Sequence, residues 1–149
     1  MTDQTSEWRD NIITSREGMK QLLDETRRIA VLGIKPDPDQ PANYVPAYAQ
    51  QAGYEIIPVP VYYKELTEMM GEQVYRTVSA IPGEVDMVNV FRRPRDIPPH
   101  LDDIIAKKPK SVWFQLGILN DEAAETLAKA GIRVVQNRCL LVELQRVGK

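Results

Sequence analysis

Apolar positions fall into two alternating patterns along the chain. Short, almost uninterrupted apolar runs occupy 29–33, 55–59, 86–91, 111–116 and 133–136. Runs of this length, rich in Val, Ile and Leu, predict strands buried on both faces, as in a parallel sheet. Between them, apolar residues recur every third or fourth position. That spacing predicts helices over 15–27, from near Asn43 to Gly53, over 97–107, over 121–130 and over 140–146.

Punctuation supports the same elements. Thr14 and Glu17 have capping-box spacing. Asn43 is placed as an N-cap, with Pro46 in the first turn and Gly53 at the end. Asp96 is placed to cap the third helix and Asn120 the fourth, which Gly131 closes. Pro58 and Pro60 end the second strand and keep its tail out of a central ladder. Residues 60–85 are the least regular. A short helix over 64–70 ending at Gly71, an extended piece at Val74–Tyr75 and a turn at 79–82 are expected there. Residues 1–13 read as a flexible arm and 14–149 as a single domain.

Strands alternating with helices imply βαβ units with right-handed crossovers. The expected fold class is α/β, with helices on both faces of a five-stranded, mostly parallel sheet. The expected strand order is 3-2-1-4-5 or a close variant, with Gly33 at the switch point.

Composition narrows the partners. A net charge of −2 gives no electrostatic reason for nucleic acid or membrane binding. No apolar run approaches the ~20 residues of a membrane span, and the opening MTDQTSEWRD is not the pattern of a secretory signal. One cysteine cannot form an internal disulfide, which fits a cytoplasmic protein. One cysteine and one histidine also argue against a structural zinc site.

Ligands of open parallel sheets bind beyond the carboxyl ends of the strands. Those ends carry Gly33-Ile34-Lys35, Pro60-Val61, Phe91-Arg92-Arg93, Gln115-Leu116-Gly117-Ile118 and Asn137-Arg138-Cys139. Gly33 and Gly117 would let a ligand approach the backbone. Lys35, Arg92 and Arg93 supply cations suited to phosphate. The loop before Asn43 leads to a helix N-terminus, which adds free N–H groups. Two observations oppose a dinucleotide: G-x-G-x-x-G is absent, and Val59-Pro60-Val61 stands where an acidic residue would hold a ribose. Asp37 and Asp39 in the first loop would repel a phosphate unless turned away.

The segments IAVLG, PANYVPAY, AGYEIIPV, IPGEVDMVNVFRRP, KSVWFQLGI, NDEAAETLAKAGIRVV and NRCLLVE occur in order over about residues 28–145. In them the chain resembles the small single-domain CoA-binding protein family, similar to the N-terminal domain of the succinyl-CoA synthetase α-subunit. The resemblance implies a Rossmann-like, three-layer α/β/α fold with coenzyme A (CoA), free or acylated, at the strand ends. It also implies a small-molecule binding protein without an assigned reaction. The candidate CoA-binding residues are Gly33, Ile34, Lys35, Gln40, Pro41, Asn43, Tyr44, Val59, Pro60, Phe91, Arg92, Arg93, Gln115, Gly117 and Ile118.

The chain departs from that family at Ile34-Lys35, where a serine is usual, at Gln40-Pro41-Ala42 in place of Arg-Pro-Ser, and at Pro58-Val59-Pro60-Val61 in place of Pro-Val-Asn-Pro. Two readings stand beside a non-catalytic CoA-binding module. One is a nucleotide-dependent oxidoreductase, which the missing acidic residue opposes; the other, motivated by these departures, is a regulatory or interaction module that has lost its ligand. His100 reads as a surface residue. Cys139 reads as a packed thiol, or as one that exchanges with the CoA sulfur. Trp8 and Trp113 read as packing residues.

Overall fold

The structure, a computed structural model, describes residues 7–149. Strands β1 (Arg28–Leu32), β2 (Glu55–Val59), β5 (Met87–Val90), β6 (Ser111–Phe114) and β7 (Arg133–Val135) form one sheet. A separate two-stranded hairpin pairs β3 (Glu68–Met69) with β4 (Glu72–Gln73). The helices are α1 (Arg16–Asp24), α2 (Pro41–Gln51), α3 (Leu101–Lys107), α4 (Asp121–Lys129) and α5 (Leu140–Arg146). Every ladder of the main sheet is parallel.

The sheet is buried on both faces, as the apolar runs require. Ile29 and Val31 of β1 point into a core built with Met19, Leu22 and Leu23 of α1, Val45 and Ala49 of α2, and Leu140 and Leu144 of α5. Ala30 and Leu32 point the other way, onto Ile104 of α3 and Leu127 of α4. Trp113 is fully buried in the first core, and its Nε1 donates to the Arg138 carbonyl at 2.9 Å. The result is the three-layer, Rossmann-like α/β fold.

The strand order is β2-β1-β5-β6-β7, which corrects the expected order. The second strand lies at the edge, and the third main strand, β5, lies beside β1. Pro58 gives the reason: it has no N–H for an outer neighbour, so an edge strand suits it better than an internal one. Gly33 still follows β1 at the switch point, because β2 and β5 flank β1 on opposite sides.

The expected helix over 64–70 is instead the β3–β4 hairpin. Leu66, Met69 and Met70 have helical spacing, but Met70 and Gly71 adopt φ of 57° and 76° and make a two-residue turn with both centres left-handed. The hairpin follows the β2 edge, where the Tyr75 N–H donates to the Pro58 carbonyl at 3.0 Å. The capping expectations divide. Asn120 caps α4, its Oδ1 accepting from the Ala123 N–H at 3.0 Å. Ser15, not Thr14, caps α1. Gln40 occupies the N-cap position of α2 with Pro41 in the first turn, so Pro46 falls inside the helix. Asp96 lies in a 3-10 turn well before α3 and accepts from Arg93 instead.

Residues 8–13, expected within a flexible arm, are docked. Trp8–Asn11 form a 3-10 turn against α4, where Asn11 Nδ2 donates to the Ala128 carbonyl at 2.9 Å. The Ile13 N–H donates to the Val134 carbonyl at 2.8 Å. Residues 1–6 of that expected arm lie outside the described residues.

One buried carboxylate ties the amino edge of the sheet together. Asp86 Oδ2 accepts from the Arg27 and Arg28 N–H groups, each at 2.9 Å, and Lys110 Nζ lies 3.4 Å from Oδ1. Burial pushes this carboxyl up, but the two N–H bonds and the Lys110 ammonium together outweigh burial and hold it below its ordinary value of 3.8.

Two outcomes are expected. Asp86→Asn lowers unfolding free energy at neutral pH by about 1–3 kcal/mol. A depressed folded pKa contributes stability above the unfolded value and loses it as pH falls through the folded one. Urea titrations should therefore show the gap between wild type and Asp86→Asn closing below the ordinary carboxyl value of 3.8. Gly33→Ala costs about 2 kcal/mol or more, because Gly33 has φ of 90° and a Cβ there would lie 2.4 Å from the Phe91 carbonyl oxygen. A melting temperature equal to wild type would show that the backbone here relaxes freely.

Candidate functional site

The carboxyl edge of the sheet carries a cleft of two lobes. One, of about 330 Å³, lies between the ends of β1, β2 and β5 and is lined by Gly33, Ile34, Lys35, Val61, Tyr62, Phe91, Arg92 and Arg93. The other, of about 310 Å³, extends over the end of β6 and is lined by Lys35, Gln40, Pro41, Ala42, Phe91, Arg92, Arg93, Pro94, Gln115, Leu116, Gly117 and Ile118. Lys35, Phe91, Arg92 and Arg93 belong to both lobes and mark where they join.

The Lys35 backbone is clamped by α2. Pro46 has no N–H for the carbonyl four residues back, which is that of Ala42. The Lys35 N–H takes that carbonyl at 3.2 Å, and Asn43 Nδ2 donates to the Lys35 carbonyl at 2.8 Å. Asn43 thus holds the loop instead of capping the helix. The Gly33 N–H is also occupied, donating to the Val59 carbonyl at 2.9 Å. Ile34 is the one residue of Gly33-Ile34-Lys35 whose N–H has no partner among the described residues. Gly33 is needed for a reason other than ligand approach: the space its missing Cβ leaves is taken by the Phe91 carbonyl, with Arg92 Cδ at 3.4 Å. Over Gly117, by contrast, a Cβ would meet nothing within 4 Å.

The two acidic residues of the first loop turn away. Asp37 Oδ1 accepts the Asp39 N–H at 3.0 Å, and neither residue lines either lobe. The local field of the cleft is therefore set by its cations. Arg93 Nε donates to Asp96 Oδ2 at 2.9 Å, which partly offsets its charge. Arg92 has no acidic partner among the described residues.

The structure brings together Gly33, Ile34, Lys35, Gln40, Pro41, Phe91, Arg92, Arg93, Gln115, Gly117 and Ile118. It does not bring Asn43, Tyr44, Val59 or Pro60 to the cleft wall. Val59 and Pro60 are buried, and Val59 belongs to the core that includes Leu32 and Val90. The candidate list left out Ala42, Val61, Tyr62, Pro94 and Leu116, which also line the cleft. Tyr62 owes its place to Arg76, whose guanidinium donates to the Tyr62, Tyr63 and Leu66 carbonyls at 3.3, 2.9 and 2.7 Å. Nothing near Tyr62 in the chain signals that clamp.

His100 is not the surface residue expected. It is half-buried, and its Nε2 accepts from Arg92 Nε at 3.3 Å. Burial, then the Arg92 charge, hold the imidazole below its ordinary value of 6.5. Cys139 is half-buried at the start of α5, in a hollow shared with Asn137, Arg138 and Val142 that borders the cleft at Leu116, a residue lining both. Among the described residues no group of His, Cys, Asp and Glu could hold a metal ion, and no helix is long and apolar enough to cross a membrane.

Comparison with known proteins bears on the fold and the family. The Bacillus subtilis (strain 168) protein YneT, described as uncharacterized, is 34% identical over 128 residues, covering 86% of this chain and 93% of that protein. The Thermus thermophilus structure cell-free ID.343 is 36% identical, with a TM-score of 0.84 over 90% of this chain and 99% of that one. The dinucleotide forming acetyl-coenzyme A synthetase 1 of Ca. Korarchaeum cryptofilum is 22% identical, with a TM-score of 0.65 over 76% of this chain and 26% of that one, which is a likeness of fold. A family model described as CoA binding domain matches residues 27–145. That match runs from the residue before β1 into α5 and takes in every wall of the cleft, so the chain belongs to the CoA binding domain family.

Proposed function

We propose that this protein binds coenzyme A or an acyl-CoA in the two-lobed cleft, and that it does so as a binding protein without chemistry of its own. The observation that carries the proposal is the meeting of Lys35, Arg92 and Arg93 where the lobes join, over the switch point of a parallel sheet. A diphosphate suits that junction, since it presents several acceptor oxygens to three cations. The open backbone over Gly117 and the exposed Leu116 offer a path for the apolar, flexible part of the ligand.

The non-catalytic part of this reading is supported by how the candidate groups are engaged. His100 receives the Arg92 Nε–H and in that arrangement is not free to act as a base. Cys139 lines the neighbouring hollow and neither lobe of the cleft. Lys35, which lines both lobes with its backbone clamped, supplies a charge in place of the family arginine that is missing at Gln40.

Melting temperatures with CoA, NAD or buffer test the reading. CoA at a hundredfold excess over its Kd should raise the melting temperature by about 5–10 °C, with no rise from NAD. A rise with NAD alone would favour a nucleotide-dependent oxidoreductase. A rise with neither would favour a regulatory module that has lost its ligand. Calorimetric titration should further show Lys35→Ala weakening CoA binding by about 1–2 kcal/mol, with a shallower dependence on salt. Equal affinity and equal salt slope would place Lys35 outside the ligand's reach.

A further inference from the structure

Arg92 is held at three points. Its stem lies against Gly33, where a Cβ would come within 3.4 Å of Arg92 Cδ. The Tyr62 ring covers its guanidinium at 5.8 Å. Its Nε donates to His100 Nε2 at 3.3 Å. An arginine Nε–H can only donate, so His100 Nε2 must be the unprotonated, accepting nitrogen of a neutral imidazole. The two terminal nitrogens of Arg92 donate to nothing among the described residues, and Arg92 lines both lobes of the cleft.

We propose that His100 is the positioning residue for Arg92: it occupies the Nε edge of the guanidinium, so that the two terminal nitrogens are presented end-on, as a pair, to a phosphate of the bound ligand. The proposal rests on the CoA reading for the identity of that phosphate. A neutral acceptor suits the task. A carboxylate in the same place would orient the guanidinium but also cancel its charge, whereas the imidazole orients it and leaves the whole charge for the anion. The nearby acids are committed elsewhere. Asp103 of α3 accepts from the Val78 and Ser79 N–H groups at 2.8 and 3.0 Å, and Asp96 of the preceding turn accepts from Arg93. Arg92, Asp96 and Asp103 are the charged groups whose fields reach His100. Burial and Arg92 lower its pKa while the two acids raise it, with a net downward shift that keeps the imidazole neutral at pH 7.

The test compares CoA affinity at pH 7.5 in wild type, His100→Leu, His100→Gln, Arg92→Ala and the Arg92→Ala/His100→Leu double variant. His100→Leu should weaken binding roughly fivefold to thirtyfold. His100→Gln, which restores a neutral acceptor, should stay within about threefold of wild type, and the double variant should bind no more weakly than Arg92→Ala. Equal affinity of His100→Leu and wild type, or a His100→Leu penalty undiminished beside Arg92→Ala, overturns the proposal. If wild type binds no CoA, the CoA reading falls by itself, and the ligand-free ¹⁵N spectrum decides the role of His100. The Arg92 Nε–H resonance should be slowed in exchange in wild type and His100→Gln. It should lose that protection in His100→Leu, and in wild type as pH drops through the His100 titration. A resonance indifferent to both changes overturns the proposal.

Discussion

The way the chain leaves the end of β1 governs the rest of this structure. β1 has β2 on one side and β5 on the other, so the connections beyond those strands diverge and open a crevice. At that point the backbone of Gly33 and the carbonyl of Phe91 pass closer than any side chain would permit, since a Cβ would lie 2.4 Å from that oxygen. The close passage brings Lys35 and the Phe91-Arg92-Arg93 segment to a common wall. A longer separation would place the same cations on separate loops, each in bulk water.

A proline completes the arrangement from the other side. Pro46 sits inside α2 and leaves the Ala42 carbonyl without its helical partner. The Lys35 N–H fills that gap, and Asn43 secures the carbonyl of the same residue. A defect in the helix thereby becomes an anchor for the loop. The exchange also takes the Lys35 N–H out of use for an anion, which shifts the role of that residue from its backbone to its ammonium.

Charge is divided between the two edges of the sheet. The amino edge holds Asp86, satisfied by backbone N–H groups and Lys110. The carboxyl edge holds Lys35, Arg92 and Arg93, of which Arg92 meets a neutral histidine instead of an acid. With a net charge of −2 over the whole chain, the positive character of the cleft is local. It arises from which side chains the topology gathers, not from overall composition.

Local patterns carried much of this protein. Apolar runs, helical spacing and caps such as Asn120 are properties of neighbouring residues, so the strands, most helices, the parallel sheet and the strand-end location of the cleft were legible in the chain, as were Lys35, Arg92, Gln115 and Gly117 as its lining. Elements whose local signals were double-edged were not: Leu66, Met69 and Met70 have helical spacing yet form a hairpin, because the left-handed turn at Met70–Gly71 and the exposed β2 edge favour it. The strand order, the burial of Val59 and Pro60, the clamp on Lys35, the placing of Tyr62 by Arg76 and the bond from Arg92 to His100 were decided by tertiary structure. Each depends on groups that approach only after the sheet has formed, and such distances leave no trace in the order of residues along the chain.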